Sequence, residues 1–450
     1  MTLRCRFGAA LFVCAAAALA LFACAASASA QALKLTLDMA ITLGLENSPD
    51  VKAKEFAVLS SQKDVKEARA AYYPEMSAGS NFSHSFTGAG QAGSSGTVAS
   101  TQDQIGLSLD LSQTLYSFGR LNAAVAAAAQ NVETAKLDLE EAKRSLAVEI
   151  QRGFYGYLLA REVLAVKTQA LSYKEEALEV ARIRYEAGLT TRREVLKAES
   201  DLKSFVPELI AARNDLETAL LGLKDSVGID VEVDVTIVGE LDIPAVQLDG
   251  EKLVKKAVEG NSGVRRQKLK ISLQKLQVNV QKTEKRPVIS GFASAGLQNR
   301  FDLGAGGPGG LSGAAWDGTV SAGLSIQMGL SPHLPWSKET AGVEKSTAEL
   351  QRLNADLQSF RNAAALEAGK VLLSLSESRA KIEAGEKARE LAEELYLASK
   401  DMYENGLITS MEYGDAVMGL SDSHAGWLTY IYDYRMALCD LMDAVGAAIM

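Results

Sequence analysis

Cysteine is scarce in this sequence of 450 residues, which has only four. Cys5, Cys14 and Cys24 lie in the first 30 residues, so Cys439 is the only one in the rest of the chain. A single cysteine cannot form an internal disulfide, and one within an apolar helical stretch is typical of a buried small hydrophobic residue. The composition therefore excludes a fold that depends on disulfides.

Histidine is equally rare, and its three positions show no metal-binding pattern. His84, His333 and His424 lie far apart and lack the spacing of known zinc motifs. Cys439 has no nucleophile motif around it, and the glycine-rich segment 304–310 lacks the Lys-Ser/Thr of a phosphate-binding loop. The sequence predicts neither an enzyme nor a bound metal or cofactor.

Long apolar runs and an excess of basic residues are also lacking. Beyond residue 30, no stretch of about 20 apolar residues could form a membrane-spanning helix. The formal net charge is −9 at pH 7, whereas nucleic-acid-binding domains usually have a basic surface. The sequence therefore indicates no nucleic-acid partner, and any membrane-spanning part must consist of strands closed into a barrel.

Residues 1–30 have the pattern of a secretory signal peptide. A basic start and an apolar run over residues 9–22 precede small residues at 28–30, where cleavage is expected. The segment Leu21-Phe22-Ala23-Cys24 also resembles a lipoprotein signal, which would make Cys24 a lipidation site. Both alternatives predict an exported protein.

The remaining chain contains one unit twice. The pairs Val51 and Val264, and Pro74 and Pro287, are each 213 residues apart, and the motif that begins at Tyr185 recurs 218 residues later. We therefore expect a first repeat over residues 31–226, a linker segment over 227–247 and a second repeat over 248–450. Each repeat begins with a charged amphipathic helix that ends at a proline.

Each repeat then shows alternating apolar and polar residues, the period of a strand. Leu107, Leu109 and Leu111 alternate with polar residues in the first repeat, as Val320 and Leu324 do in the second. We expect β-hairpins over residues 74–115 and 287–330, with strands of about 10 to 13 residues that could cross a tilted bilayer. Ordinary surface hairpins are the alternative.

Long helices follow each hairpin. Apolar residues repeat every seven positions from Val125 onwards, and the helices are expected over residues 121–187, 190–225, 338–405 and 410–444. Such helices are too long for a compact globule and suit a coiled-coil tube or stalk. Because even the smallest membrane barrels need about eight strands, four strands per chain predict an oligomer, and three copies would supply twelve.

These features together resemble the TolC-type outer-membrane efflux protein family. The resemblance covers the region after residue 30 and rests on the entry segment 35–51, the strand-to-helix segment 113–120 and the turn motifs at 185–189 and 403–407. It implies a mainly helical fold in which a homotrimer forms one twelve-stranded β-barrel in the outer membrane of a Gram-negative bacterium. A long α-helical barrel would continue from it into the periplasm.

The resemblance also implies a function. The trimer would be a passive export duct of a tripartite efflux or type I secretion system, closed at its periplasmic end until a periplasmic adaptor and an inner-membrane transporter dock. The helix turns at Gly188, Leu189, Gly406 and Leu407 would contact the adaptor. The transported cargo, whether drug, metal or protein, is not predicted.

The residues that match the family's gate are implied in the same way. Glu412 and Asp415 would form two rings of three carboxylates at a constriction, with solvated helix carboxylates as the alternative. Tyr403 and Glu194 would tie neighbouring helices together in the closed state. The family's arginine position is occupied by Ile408, so Arg193 or Arg192 is the candidate cation.

A periplasmic adaptor is the main alternative function, because adaptors also contain long helical hairpins. An adaptor would have a single hairpin flanked by β-rich modules, without a duplication and without strand pairs between long helices. A porin would need many strands and little helix. Because the sequence is duplicated and rich in helix, it favours the export channel over the adaptor and the porin.

Overall fold

A computed structural model describes residues 33–87, 100–244, 250–301, 316–329 and 334–446. The predicted signal peptide and Cys24 lie outside the described residues. The described chain contains six strands and eight helices. The strands are β1 (Leu33–Leu35), β2 (Glu75–Thr87), β3 (Ser100–Tyr116), β4 (Val235–Ile237), β5 (Val288–Phe301) and β6 (Asp317–Gln327). The helices are α1 (Leu37–Asn47), α2 (Pro49–Ala70), α3 (Arg120–Glu186), α4 (Arg192–Val227), α5 (Gly250–Gly260), α6 (Ser262–Thr283), α7 (Lys338–Glu404) and α8 (Ser410–Val445).

The chain divides into two compact units that differ from the two sequence repeats. The first unit consists of residues 1–51, 142–256 and 367–450, and the second of residues 52–141 and 257–366. Each unit therefore draws on both repeats, and the long helices α3 and α7 contribute residues to both units.

The second unit contains a four-stranded antiparallel sheet with the order β2-β3-β5-β6. The strands β3 and β5, which come from different repeats, pair along their length, with Leu109 opposite Ala295. The described part of the sheet leaves β2 and β6 as its two edges. Four antiparallel strands and long helices confirm the predicted fold class.

The two faces of this sheet differ in chemistry. Opposed residues on one face are apolar, as in the row Ala78, Leu109, Ala295 and Val320. The adjacent row on the other face consists of Ser77, Asp110, Ser294 and Ser321, and the last two side chains lie 2.7 Å apart. The apolar face is exposed: Val320 is 86% accessible. One face of the sheet is thus apolar although no described element covers it.

Polar contacts join the helices of the second unit. The Gln267 side chain, which is buried on α6, donates to the Leu353 carbonyl of α7 at 2.9 Å. The Arg266 guanidinium bridges Asp138 and Glu141 on α3, and these contacts raise the pKa of Arg266, chiefly through its hydrogen bond with Asp138. Asn261 caps α6 by accepting from the Val264 amide at 3.1 Å.

The largest apolar cluster of the first unit surrounds a short parallel strand pair. Strand β1 pairs with β4, so that Leu35 lies opposite Ile237. Both side chains pack with Ile150, Phe154 and other buried residues of α3 and α4. The linker segment between the repeats is therefore anchored to the beginning of the described chain.

None of the helices that the structure describes is both long enough and apolar enough to cross a lipid bilayer.

Candidate functional site

The two glycine turns of the first unit have the same backbone geometry. Gly188 and Gly406 have positive φ angles of 73° and 76°, a conformation that costs a non-glycine residue energy. After α3, the amides of Gly188 and Leu189 donate to the carbonyls of Tyr185 and Arg184. After α7, Gly406 and Leu407 bond in the same pattern. This paired bonding is a Schellman motif, and it explains why the Tyr-Glu-x-Gly-Leu sequence ends both helices.

The leucine of each turn points into solvent. Leu189 is 72% exposed and Leu407 is 74% exposed, although both are large apolar residues. A Schellman turn commonly packs this residue against the preceding helix. The two turns therefore present apolar side chains that are free to contact another molecule.

The helices after the turns both begin with Thr-x-x-Glu, the sequence of a capping box. At the start of α8 the box is complete, because the Thr409 side chain accepts from the Glu412 amide and the Glu412 carboxylate accepts from the Thr409 amide at 2.8 Å. At the start of α4, the Thr191 side chain makes no capping hydrogen bond. The matching glutamate there, Glu194, has a different partner.

Glu194 contacts the other turn instead of its own. Its Oε2 atom accepts from the hydroxyl of Ser410 at 2.8 Å and from the Ser410 amide at 3.3 Å. Ser410 is the buried first residue of α8. A carboxylate at a helix N-terminus also interacts favourably with the helix dipole. Glu194 thus joins the start of α4 to the start of α8.

Tyr403 lies in the last turn of α7, immediately before the second glycine turn. The side chain is buried, its hydroxyl donates to the Ala177 carbonyl of α3 at 3.0 Å, and burial raises its pKa. Its ring stacks on Tyr413 with the centroids 4.9 Å apart. Tyr396 and Tyr173 extend the same aromatic cluster. These rings hold α3, α7 and α8 together near the turns.

The predicted pair of Tyr403 and Glu194 does not bond directly within the described chain. Tyr403 instead joins α7 to α3 through the Ala177 carbonyl. Glu194 joins α4 to α8 through Ser410. A cation that contacts Tyr403 is Arg184, which donates to the Tyr403 carbonyl at 3.0 Å and lies 5.9 Å from the Tyr403 ring centroid. Arg192 and Arg193 are exposed. Arg184 was missed because its signal is weak: it is a basic residue in the last turn of a helix.

The two predicted constriction carboxylates lie on α8 just after the turn, and both are exposed. Hydrogen bonds from the backbone and then the side chain of Thr409 lower the pKa of Glu412 below its ordinary value. Asp415 follows one turn later on the same face. Among the described residues, no group of three or more side chains has the arrangement of a metal site.

A known protein family matches part of the chain. Residues 40–229 match the family described as outer membrane efflux protein. This match covers most of the first repeat and less than half of the chain. The resemblance predicted from the motifs is therefore confirmed, and the matched family is one of transport proteins rather than of enzymes.

Individual curated proteins match parts of the chain. The outer membrane efflux protein BepC of Brucella suis is 26% identical over 188 residues, which is 42% of this chain and 39% of BepC. The protein CyaE of Bordetella pertussis is 26% identical over 198 residues, which is 44% of this chain and 40% of CyaE. The matched segment thus spans well under half the length of these curated relatives.

Solved structures of outer-membrane channels match the fold more completely. The Campylobacter jejuni CmeC channel has a TM-score of 0.74 at 15% identity, covering 91% of this chain and 85% of CmeC. The open state of the Neisseria gonorrhoeae MtrE channel has a TM-score of 0.71 at 17% identity, covering 91% and 89% of the two chains. The fold of these solved channels therefore extends across both repeats.

The contact between Glu194 and Ser410 gives a testable expectation. We expect Glu194→Ala to speed hydrogen exchange in the first turn of α8, because the substitution removes a carboxylate acceptor worth about 1 kcal/mol at a helix start. Hydrogen exchange followed by mass spectrometry measures this. Glu217→Ala, an exposed glutamate on the same helix, is the matched control and should leave α8 unchanged. Equal exchange in the two variants would contradict the assigned contact.

Proposed function

We propose that the chain is a subunit of a passive export channel that lies in the outer membrane of a Gram-negative bacterium and extends into the periplasm. The observation that supports this most strongly is the four-stranded sheet with an exposed apolar face and two edge strands. The match of residues 40–229 to the outer membrane efflux protein family agrees with it.

The apolar face suits contact with lipid. Leu107, Leu109 and Leu111 on β3 are each more than a third exposed, and Leu324 and Ile326 on β6 are each 71% exposed. An apolar surface of this kind is unfavourable in water, and soluble monomers rarely expose large contiguous patches. The strands of 11 to 17 residues are long enough to cross the hydrocarbon region when tilted.

The sheet edges require further strands. In lipid, the unpaired amides and carbonyls of β2 and β6 would find no water to bond with. Joining β6 of one chain to β2 of the next satisfies both edges, and three chains give a closed sheet of twelve strands. We therefore propose a homotrimer.

An exposed apolar stripe on α7 supports the same assembly. Leu391, Leu395 and Met402 follow spacings of four and seven residues, which places them along one side of the helix. All three are about half exposed or more. Neighbouring chains of the trimer would cover this stripe.

The paired turns are the proposed periplasmic gate. Three side chains join the helices there: Glu194 links α4 to α8, and both Tyr403 and Arg184 link α3 to α7. These contacts would hold the closed arrangement.

The periplasmic adaptor would bind at the two turns, since their leucines are exposed. The contact residues would be Gly188, Leu189, Gly406 and Leu407. An inner-membrane transporter would supply the energy, because the channel itself is passive. Arg193 remains a candidate for contacts with a neighbouring chain.

Assembly and location can be tested together. We expect the full-length protein to be found in the outer-membrane fraction, to need detergent for extraction and to have the mass of a trimer after subtraction of bound detergent. Membrane fractionation and light scattering measure this. A monomer released from the periplasm without detergent would contradict the channel and support the adaptor.

The acidic constriction gives a second expectation. Three copies of Glu412 and Asp415 would attract cations, so multivalent cations should block conductance through the purified channel in planar bilayers. We expect Asp415→Asn to weaken this block several-fold and more than Glu412→Gln does, because Glu412 already binds the N-terminus of its own helix. The exposed Glu404, which precedes the turn, provides a control as Glu404→Gln. Unchanged block in both acidic variants would identify these residues as ordinary solvated carboxylates.

A further inference from the structure

A cavity of about 350 Å³ lies between α3, α7 and α8 in the first unit. Its apolar part includes Val166 and Ala170 of α3 and Val417 of α8. Its polar part includes Glu162 of α3, Arg389 and Glu393 of α7, and Ser421 and His424 of α8. Cavities that bind small molecules have volumes of about 300 to 1,000 Å³ and the same combination of apolar walls with a few polar groups.

Two polar groups of this cavity lack partners. The Ser421 side chain is only 3% exposed, and its hydroxyl is buried without a hydrogen-bond partner among the described residues. The Nε atom of Arg389 is buried in the same way. A buried donor without an acceptor is costly, and native structures usually satisfy such groups. Both groups can donate a hydrogen bond, so the matching ligand atom is an acceptor.

The rest of the Arg389 guanidinium is held by its neighbours. It lies over the Trp427 ring, 5.2 Å from the centroid, and one terminal nitrogen is 3.5 Å from Glu393. The indole nitrogen of Trp427 is also buried without an acceptor in the described structure. These contacts restrict the guanidinium while its Nε donor stays unpaired, so a ligand would meet a preorganised group.

His424 adds little charge to the cavity. Its ring centroid is 6.1 Å from that of Trp427. Burial and then the nearby Arg389 lower the pKa of His424, whereas Glu393 and Glu162 oppose this shift. Arg389 is the cationic group of the lining, which also contains two carboxylates, and one of these, Glu393, is paired with Arg389 itself. Glu162 is paired with Arg161 at 2.9 Å.

We propose that this cavity binds a small organic carboxylate with an apolar body. Its oxygens would accept from Arg389 Nε–H and the Ser421 hydroxyl, and its apolar part would pack against Val166, Ala170 and Val417. Charge-assisted bonds from arginine to carboxylate are the stronger kind, and the planar guanidinium suits two acceptor oxygens. The cavity borders the aromatic cluster near the turns through Tyr173, but its lining includes none of the proposed gate residues Glu194, Tyr403 and Arg184, and the proposal does not depend on the channel function.

The test uses tryptophan fluorescence of the full chain held in an amphipathic polymer. Trp316→Phe with Trp336→Phe leaves Trp427 as the only tryptophan. The probe is 8-bromooctanoate at pH 7.5, whose bromine quenches a nearby indole. We expect saturable quenching whose midpoint rises at least fivefold in Ser421→Ala and in Arg389→Gln.

A matched control is available on α7. Ser378 is also a buried serine, but its hydroxyl already donates to the Ser374 carbonyl at 2.8 Å, so Ser378→Ala should leave the midpoint unchanged. If Arg389→Gln fails to fold, the midpoint measured for Ser421→Ala tests the site by itself, because this substitution removes only an unpaired hydroxyl. Linear quenching that is equal in all variants would overturn the site. Equal quenching by 8-bromooctanol would overturn the carboxylate assignment.

Discussion

The structure depends on one constraint: the backbone amides and carbonyls at the two edges of the four-stranded sheet need hydrogen-bond partners. The strands β2 and β6 have partners on one side only, and the sheet also exposes an apolar face. A single chain has no further described strand to offer either edge. Lipid on the apolar face and neighbouring chains at the edges meet both needs, and the proposed trimer follows from this constraint.

The duplication explains how the sheet is built. Each repeat supplies one hairpin, and the central pairing of β3 with β5 joins the two repeats into one surface. The repeats have diverged at the turns, where function is proposed. Glu412 completes the cap of its own helix, whereas the matching Glu194 binds Ser410 of the other repeat. The equivalent residues thus serve as a local cap in one copy and a link between helices in the other.

The sequence predicted the fold class because the periods of strands and helices are local properties. It could not predict that β3 pairs with β5 or that β1 pairs with β4, since periodicity carries no information about which distant segments meet. The Thr-x-x-Glu pattern at Thr191 suggests a local cap, and only the positions of both turns reveal that Glu194 reaches Ser410 instead. Arg184 has only a weak local signal, as a basic residue in the last turn of a helix, and its partner Tyr403 is 219 residues away. The roles of Glu412, Asp415, Tyr403 and the turn leucines come from resemblance and stay predictions.

The most direct test of this account is covalent linkage of the two sheet edges. In a chain carrying Cys439→Ala, cysteine pairs would be scanned with one on β2, such as Ser77→Cys, and one on β6, such as Ser321→Cys or Ser325→Cys. After oxidation in the membrane, denaturing electrophoresis should show covalent trimers for at least one pair and monomers for each single variant. Pairs spanning both strands that yield no covalent trimer would contradict a sheet shared by three chains.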